Sequence, residues 1–304
     1  VAISPADIKR VKGEGFLLNR GTEEFSARII TENGVLTAAQ MQNLSQAAHE
    51  FGNGNISFTT RLTVELPGIH YRDIESFKAF VAREGMVTGG TGAKVRPVVA
   101  CKGTTCVFGL YDTQQMAADI HHRFYVGYGS VALPHKFKIA VGGCPNNCMK
   151  PDLNDIGIVG QKVPQYLGEQ CRQCKQCAVE TNCPMQAASY RDELLQLDEE
   201  ICNNCGRCVK GCPFGAVADN ETMYRIYIGG RWGKKVRIGD QLPRLYTRDE
   251  AMDMVEKAIL LFKKEGQPGE RFGMMIDRLG TDWVQQQLEG DALLAQKEKI
   301  LAAQ

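Results

Sequence analysis

The residues whose type and spacing promise chemistry are cysteines. All twelve lie between Cys101 and Cys212, in four groups: Cys101/Cys106, Cys144/Cys148, Cys171/Cys174/Cys177/Cys183 and Cys202/Cys205/Cys208/Cys212. Thiolates bind soft metals, and twelve of them suffice for three four-cysteine sites of zinc or of iron and sulfide. A disulfide framework suits a short secreted chain better than one of 304 residues with metal-like spacing.

Residues 171–184 read CRQCKQCAVETNCP and residues 202–213 read CNNCGRCVKGCP. The second run is C-x2-C-x2-C-x3-C-P, the bacterial iron–sulfur pattern, in which the fourth cysteine ligates the other cluster. The first run is its relative, with five residues before its last cysteine. The pattern assigns Cys171, Cys174, Cys177 and Cys212 to one [4Fe–4S] cluster, and Cys202, Cys205, Cys208 and Cys183 to a second. A tetrahedral zinc ion is more often met by two separate C-x2-C pairs than by three cysteines in seven residues. The segment resembles two-cluster bacterial ferredoxins, which implies electron transfer.

The remaining cysteines sit in CKGTTC (101–106) and GGCPNNC (142–148). GGCPNNC resembles the nitrite and sulfite reductase family, whose C-x5-C and later C-x3-C hold a [4Fe–4S] cluster coupled to sirohaem. The first pair here is C-x4-C, one residue shorter. The resemblance implies that Cys101, Cys106, Cys144 and Cys148 hold a third cluster, with Cys148 also the axial thiolate to sirohaem iron. It places Gly142, Gly143 and Asn146 against the cofactor, the glycines letting backbone pass close. His121, His122 and His135 are left as ordinary histidines, because Cys148 takes the axial role.

Sirohaem carboxylates and an oxyanion substrate both call for cations. NISFTTRLTVEL (55–66) alternates as a strand, with Ile56, Phe58, Leu62, Val64 and Leu66 on one face and Ser57, Thr59, Arg61, Thr63 and Glu65 on the other. In the family a TTR-x-T strand supplies an arginine to the sirohaem pocket, which carries over to Arg61 with Thr59 and Thr63. FSARII places Arg28 where the family has another arginine. LPHKFKI (133–139) puts Lys136 and Lys138 on one face of a predicted strand, in the context of the family's substrate-facing lysines. Arg28, Arg61, Lys136 and Lys138 are thus the expected catalytic cations.

Residues 1–80 read as strand, helix, strand, helix: a Thr37/Gln40 capping box opens a helix ending at Gly52, and a second helix spans Tyr71 to Arg83. MYRIYIGG is a strand, Thr247 with Glu250 caps a helix through Lys264, and a last helix runs through TDWVQQQLEG and beyond. The expected class is α+β, with three parts. Residues 1–80 form a ferredoxin-like half-domain. Residues 81–163 and 222–304 form a sirohaem reductase domain, and an inserted two-cluster ferredoxin domain fills 164–221. The insert's position, after the NDIGIVG strand, brings the sirohaem subunit of anaerobic sulfite reductases nearest in pattern.

The resemblance implies six-electron reduction of sulfite to sulfide. Nitrite reduction to ammonia, or a non-catalytic electron-transfer subunit, are the alternatives. A single copy of a unit that many relatives carry twice implies a homodimer, or a dimer within a larger complex. No nucleotide-binding motif is present, since GGTGAK (89–94) is wrongly spaced for a P-loop. Reduced ferredoxin, or a flavin- or iron–sulfur-containing partner subunit, is therefore the expected electron donor. The net charge of +1 gives no reason to expect nucleic acid or membrane as a partner. VAISPADIKRVKGEG lacks a signal-peptide apolar region, and a cytoplasmic location is expected.

Overall fold

The computed structural model describes residues 3–303. Val1, Ala2 and Gln304, at the ends of the expected 1–80 and 222–304 segments and of the VAISPADIKRVKGEG stretch, lie outside the described residues. The fold is α+β. The chain forms two compact units: Val1–Ala100, Gln115–Ala140 and Glu256–Gln304 make one, and Cys101–Gln114 with Val141–Val255 make the other.

The first unit opens with helix α1 (Pro5–Gly13), whose N-cap Ser4 accepts from the Asp7 N–H at 3.1 Å. A hairpin follows, β1 (Phe16–Leu18) and β2 (Glu24–Ile29), then α2 (Ala38–Phe51), β3 (Ser57–Phe58), β4 (Val64–His70) and α3 (Ile74–Val81). The four strands form an antiparallel sheet in the order β1-β2-β4-β3. Phe25, Ala27 and Ile29 of β2 and Val64, Leu66 and Ile69 of β4 are buried against Leu44, Ala47 and Ala48 of α2 and Phe77, Phe80 and Val81 of α3. The period of two that buries Phe25, Ala27 and Ile29 turns Arg28 to the opposite face of β2. Thr37 and Gln40 form the expected capping box, and α2 ends at Gly52.

Two expectations for this region are corrected. The opening is not strand–helix: α1 and the β1–β2 hairpin precede α2. Nor is 55–66 one strand. Residues 59–62 form a tight turn between β3 and β4, in which the Thr59 N–H donates to the Thr63 carbonyl at 2.9 Å and the Leu62 N–H to the Thr59 carbonyl at 3.0 Å. Leu62 takes a positive φ of 59°. The alternation is therefore broken, and Phe58 is 70% exposed instead of buried.

The C-terminal part of this unit is helical. Thr247 and Glu250, both of the second unit, cap the helix Arg248–Glu265 reciprocally, at 2.7 and 3.3 Å, and its residues from Glu256 onward belong to this unit. Helices Phe272–Leu279, Thr281–Glu289, Ala292–Ala295 and Lys297–Ala302 follow. The expected continuous last helix is interrupted, because Gly290 leaves the helical region (φ −76°, ψ 165°). Phe137, Phe262 and Phe272 pack as a triad with centroids 5.3–5.8 Å apart.

In the second unit, strands Ile156–Gln161 and Met223–Ile228 pair antiparallel from Met223↔Gln161 to Ile228↔Ile156. All six residues of Ile156–Gln161 are buried. Between these two strands lies the 164–221 segment. Its two five-residue helices, Ala178–Asn182 and Arg207–Gly211, and the hairpin Ala188–Arg191/Leu194–Leu197 close over Val179, Ala188, Leu195 and Val217. So small a core leaves much of the segment's order to whatever its cysteines hold.

Candidate functional site

The 164–221 segment gathers its eight cysteines into two fours. Cys171, Cys174, Cys177 and Cys212 line one cavity, together with Tyr166 and Tyr190. Cys183, Cys202, Cys205 and Cys208 line another. Each four joins three cysteines from one run to the last cysteine of the other. The short helix Ala178–Asn182 begins directly after Cys177, and the short helix Arg207–Gly211 contains Cys208. Burial pushes the Cys208 thiol up to about 11, whereas hydrogen bonding to Tyr166 lowers Cys171. A thiol raised by burial binds metal at neutral pH only by giving up its proton to the metal's charge. Among the described residues, no three His, Cys, Asp or Glu side chains converge on a single-ion site.

The third four is assembled from two loops. The Cys101 N–H donates to the Val141 carbonyl at 3.0 Å, which sets CKGTTC beside GGCPNNC. The Gly143 N–H donates to the Cys101 Sγ at 3.1 Å. A Cβ on Gly143 would stand 3.0 Å from the Gly103 Cα and 3.4 Å from that sulfur, so the loops approach as closely as glycine permits. The Cys144 thiol is raised by burial and by the neighbouring Cys101, Cys148 and Cys106, against the lowering pull of the Asn146 N–H. Cys148 is exposed, while the other eleven cysteines are half-buried.

Cations collect in the first unit. Arg28, Thr59, Thr60, Arg61, Thr63, Gly90, Pro97 and Lys138 line one cavity. Arg61 leaves the β3–β4 turn, and its guanidinium donates to the carbonyls of Pro97 (2.6 Å) and Ile139 (3.2 Å). The Thr59 and Thr63 hydroxyls bond each other at 2.7 Å. Lys138 lines this cavity and Lys136 does not. The Lys136 N–H donates to His135 Nδ1 at 2.7 Å. His135 is lowered by burial first, then by the charges of Arg271, Lys136 and Arg96. His121 is buried and lowered, mainly by that burial, while exposed His122 lies 3.5 Å from Glu32.

Residues that the sequence reading passed over complete this pocket. Glu65 accepts from Arg28, and the Gly90 carbonyl accepts from both Arg28 and Arg96. Burial, then the charge of Arg28, brings Arg96 down to about 10. Arg96 carries no local signal except that it stands five residues before Cys101.

Residues 91–294 match the model of the nitrite and sulphite reductase 4Fe-4S domain, and residues 19–83 match the nitrite/sulfite reductase ferredoxin-like half domain. The chain belongs to the nitrite and sulphite reductase family. Within that family it is 34% identical to the coenzyme F420-dependent sulfite reductase of Methanocaldococcus jannaschii, over 79% of this chain but 38% of that protein's length. It is 27% identical to one of the subunits of the anaerobic sulfite reductase of Salmonella typhimurium, over 86% of this chain and 81% of that one. The crystal structure of dissimilatory sulfite reductase I superposes with a TM-score of 0.70 at 20% identity, covering 88% of this chain and 69% of that chain. The half-domain and reductase folds are thereby those of this family. Among the described residues, no helix is long and apolar enough to cross a membrane.

Proposed function

We propose that this chain is the sirohaem-bearing part of a sulfite reductase that reduces sulfite to sulfide with six electrons. The observation that carries the reading is the single pocket formed by Arg28, Arg61 and Lys138, three cations far apart in sequence, beside paired threonine hydroxyls.

The side chains present fit the groups this reading needs. Four soft thiols around each of two cavities, and a third set of four around the close approach of Gly143 to Cys101, suit three [4Fe–4S] clusters. Cys148, the exposed member of that third set, would supply the thiolate that holds sirohaem iron. When bound, these groups supply the one-electron chemistry and the iron at which the anion is reduced.

The chain's own residues supply charge, orientation and protons. Arg28 and Arg61 neutralise the anion. Their guanidinium forks are already held by Glu65, Gly90, Pro97 and Ile139, so little ordering remains to be done on binding. Thr59 and Thr63 orient it by hydrogen bonds. Lys138 delivers protons to the bound oxyanion as it is reduced. Lys136 serves the adjoining cationic region with His135 and Arg96. The 164–221 segment receives electrons from reduced ferredoxin or from a flavin- or iron–sulfur-containing partner. The working form is a homodimer or a dimer within a larger complex in the cytoplasm.

Nitrite is the second reading, favoured by CKGTTCVFGLYDT and LPHKFK, which resemble single-copy nitrite reductase domains. Anaerobically purified protein should show a sirohaem spectrum, about thirteen iron atoms per chain, twelve in clusters and one in sirohaem, and faster turnover with sulfite than with nitrite. A cluster-only spectrum would leave an electron-transfer subunit, and preference for nitrite would reassign the substrate.

A further inference from the structure

Arg28 of the pocket and its neighbour Arg96 are held from behind by a turn that is itself held by a tyrosine outside the pocket. Residues His121–Val126 form a π-helical turn, a rare geometry that is frequent at functional sites. Within it Tyr125 points its hydroxyl at the Gly89–Gly90 turn and accepts the Gly90 N–H at 3.0 Å. The same turn grips Arg28 twice. The Gly89 N–H donates to the Arg28 carbonyl at 3.0 Å, and the Gly90 carbonyl accepts from Arg28 Nη1 at 3.2 Å. Arg96 Nη1 donates to that carbonyl as well.

There is no slack in this arrangement. A Cβ on Gly89 would lie 2.7 Å from the Tyr125 hydroxyl. One on Gly90, whose φ is +71°, would lie 3.2 Å from the Arg28 Cδ and 3.1 Å from the Pro97 Cγ. His121 stacks on the Tyr125 ring at 4.7 Å and fixes its plane. Burial raises the Tyr125 hydroxyl above its ordinary range, so it stays protonated and neutral beside the arginines. Arg28 lines the anion cavity, whereas Tyr125 does not.

We propose that Tyr125 is a positioning residue for the anion pocket: its hydroxyl fixes the Gly89–Gly90 turn, and the Gly90 carbonyl in turn aims the guanidinium groups of Arg28 and Arg96. This rests on the reading of the pocket as the oxyanion site. A guanidinium fork recognises an oxyanion only over a narrow range of positions, so loosening the turn weakens binding without removing any charge.

The test is a double-mutant cycle on holoprotein. Equilibrium binding of sulfite to the oxidised form is measured by calorimetry for wild type, Tyr125→Phe, Arg28→Ala and the double variant. Phenylalanine keeps the ring and its stacking and removes only the acceptor. Sulfite Kd should rise about fivefold in Tyr125→Phe, the equivalent of one ordinary hydrogen bond. The melting temperature and sirohaem content should stay at wild-type values, and KM should move more than kcat. In the Arg28→Ala background the same change should shift Kd less than about twofold, because the group it acts through is gone. An unchanged Kd in Tyr125→Phe, or an equal shift in both backgrounds, overturns the positioning role while leaving the pocket in place. An unchanged Kd in Arg28→Ala overturns the pocket reading and this inference together.

Discussion

Arg28 and Glu65 stand opposite each other on β2 and β4, and both Nε and Nη2 of Arg28 donate to one oxygen, Oε1 of Glu65, at 2.8 and 2.5 Å. Both side chains are 22% exposed, so solvent screens the pair only partly. Glu65→Gln leaves the arginine charge in place and weakens its anchor. The expected cost is about 1–2 kcal/mol of stability, as for a charged hydrogen bond at a half-buried site. Urea denaturation reads it directly, and an unchanged midpoint would show that the fork contributes nothing net.

Crossed cysteines separate the two cavities of the 164–221 segment. Cys212→Ala should remove the cluster of the Cys171/Cys174/Cys177 set, and Cys183→Ala that of the Cys202/Cys205/Cys208 set. Each variant should lose about four of about thirteen iron atoms. Paramagnetic resonance of the reduced protein distinguishes the cluster that remains. If Cys212→Ala instead disturbs the Cys202 cluster, the pairing is wrong.

Lys138→Ala removes an ammonium from the pocket without touching a cysteine. Cofactor content should be kept, and turnover should fall about a hundredfold or more, the loss typical of a proton donor. Iron analysis beside steady-state rates checks both halves. Full turnover would take Lys138 out of the mechanism.

Glu256 is buried and accepts from Tyr128, Arg123 and Lys297, the last at 2.7 Å. Burial raises its carboxyl, but these three partners outweigh it and hold the group below its ordinary 4.5. A depressed carboxyl stabilises the fold above the unfolded-state value, and that contribution is lost as pH falls through the folded-state value. Glu256→Gln should therefore cost about 2–3 kcal/mol at neutral pH, and its gap from wild type should narrow below about pH 4. Urea midpoints of both proteins at the two pH values decide this. A gap constant with pH would mean that the loss is one of packing.

Much of the local structure was legible because its causes are local. Thr37 with Gln40 and Thr247 with Glu250 announce helix starts, since a cap needs only its own first turn. FSARII marked the strand that carries Arg28, while the face that Arg28 takes is set by the burial of Phe25, Ala27 and Ile29. The rule of alternation failed at 55–66. A period of two cannot register that Leu62 adopts a left-handed φ and folds the run back on itself, since the partner strand is the next few residues of the same run. The final helix failed for the converse reason: its apolar spacing continues past Gly290, and only the backbone there shows the break.

Spacing along a few residues was enough to sort the cysteines into fours, because a four-cysteine metal site constrains its ligands locally. The sequence by itself also set the positions of the caps. Tertiary structure decided which cations meet. Arg28, Arg61 and Lys138 come from a strand, a turn and an extended segment, and Gly90 and Tyr125 join them from two more. Their convergence depends on strand register and on how each backbone turn is closed. Such relations link residues distant along the chain and leave no trace in local spacing.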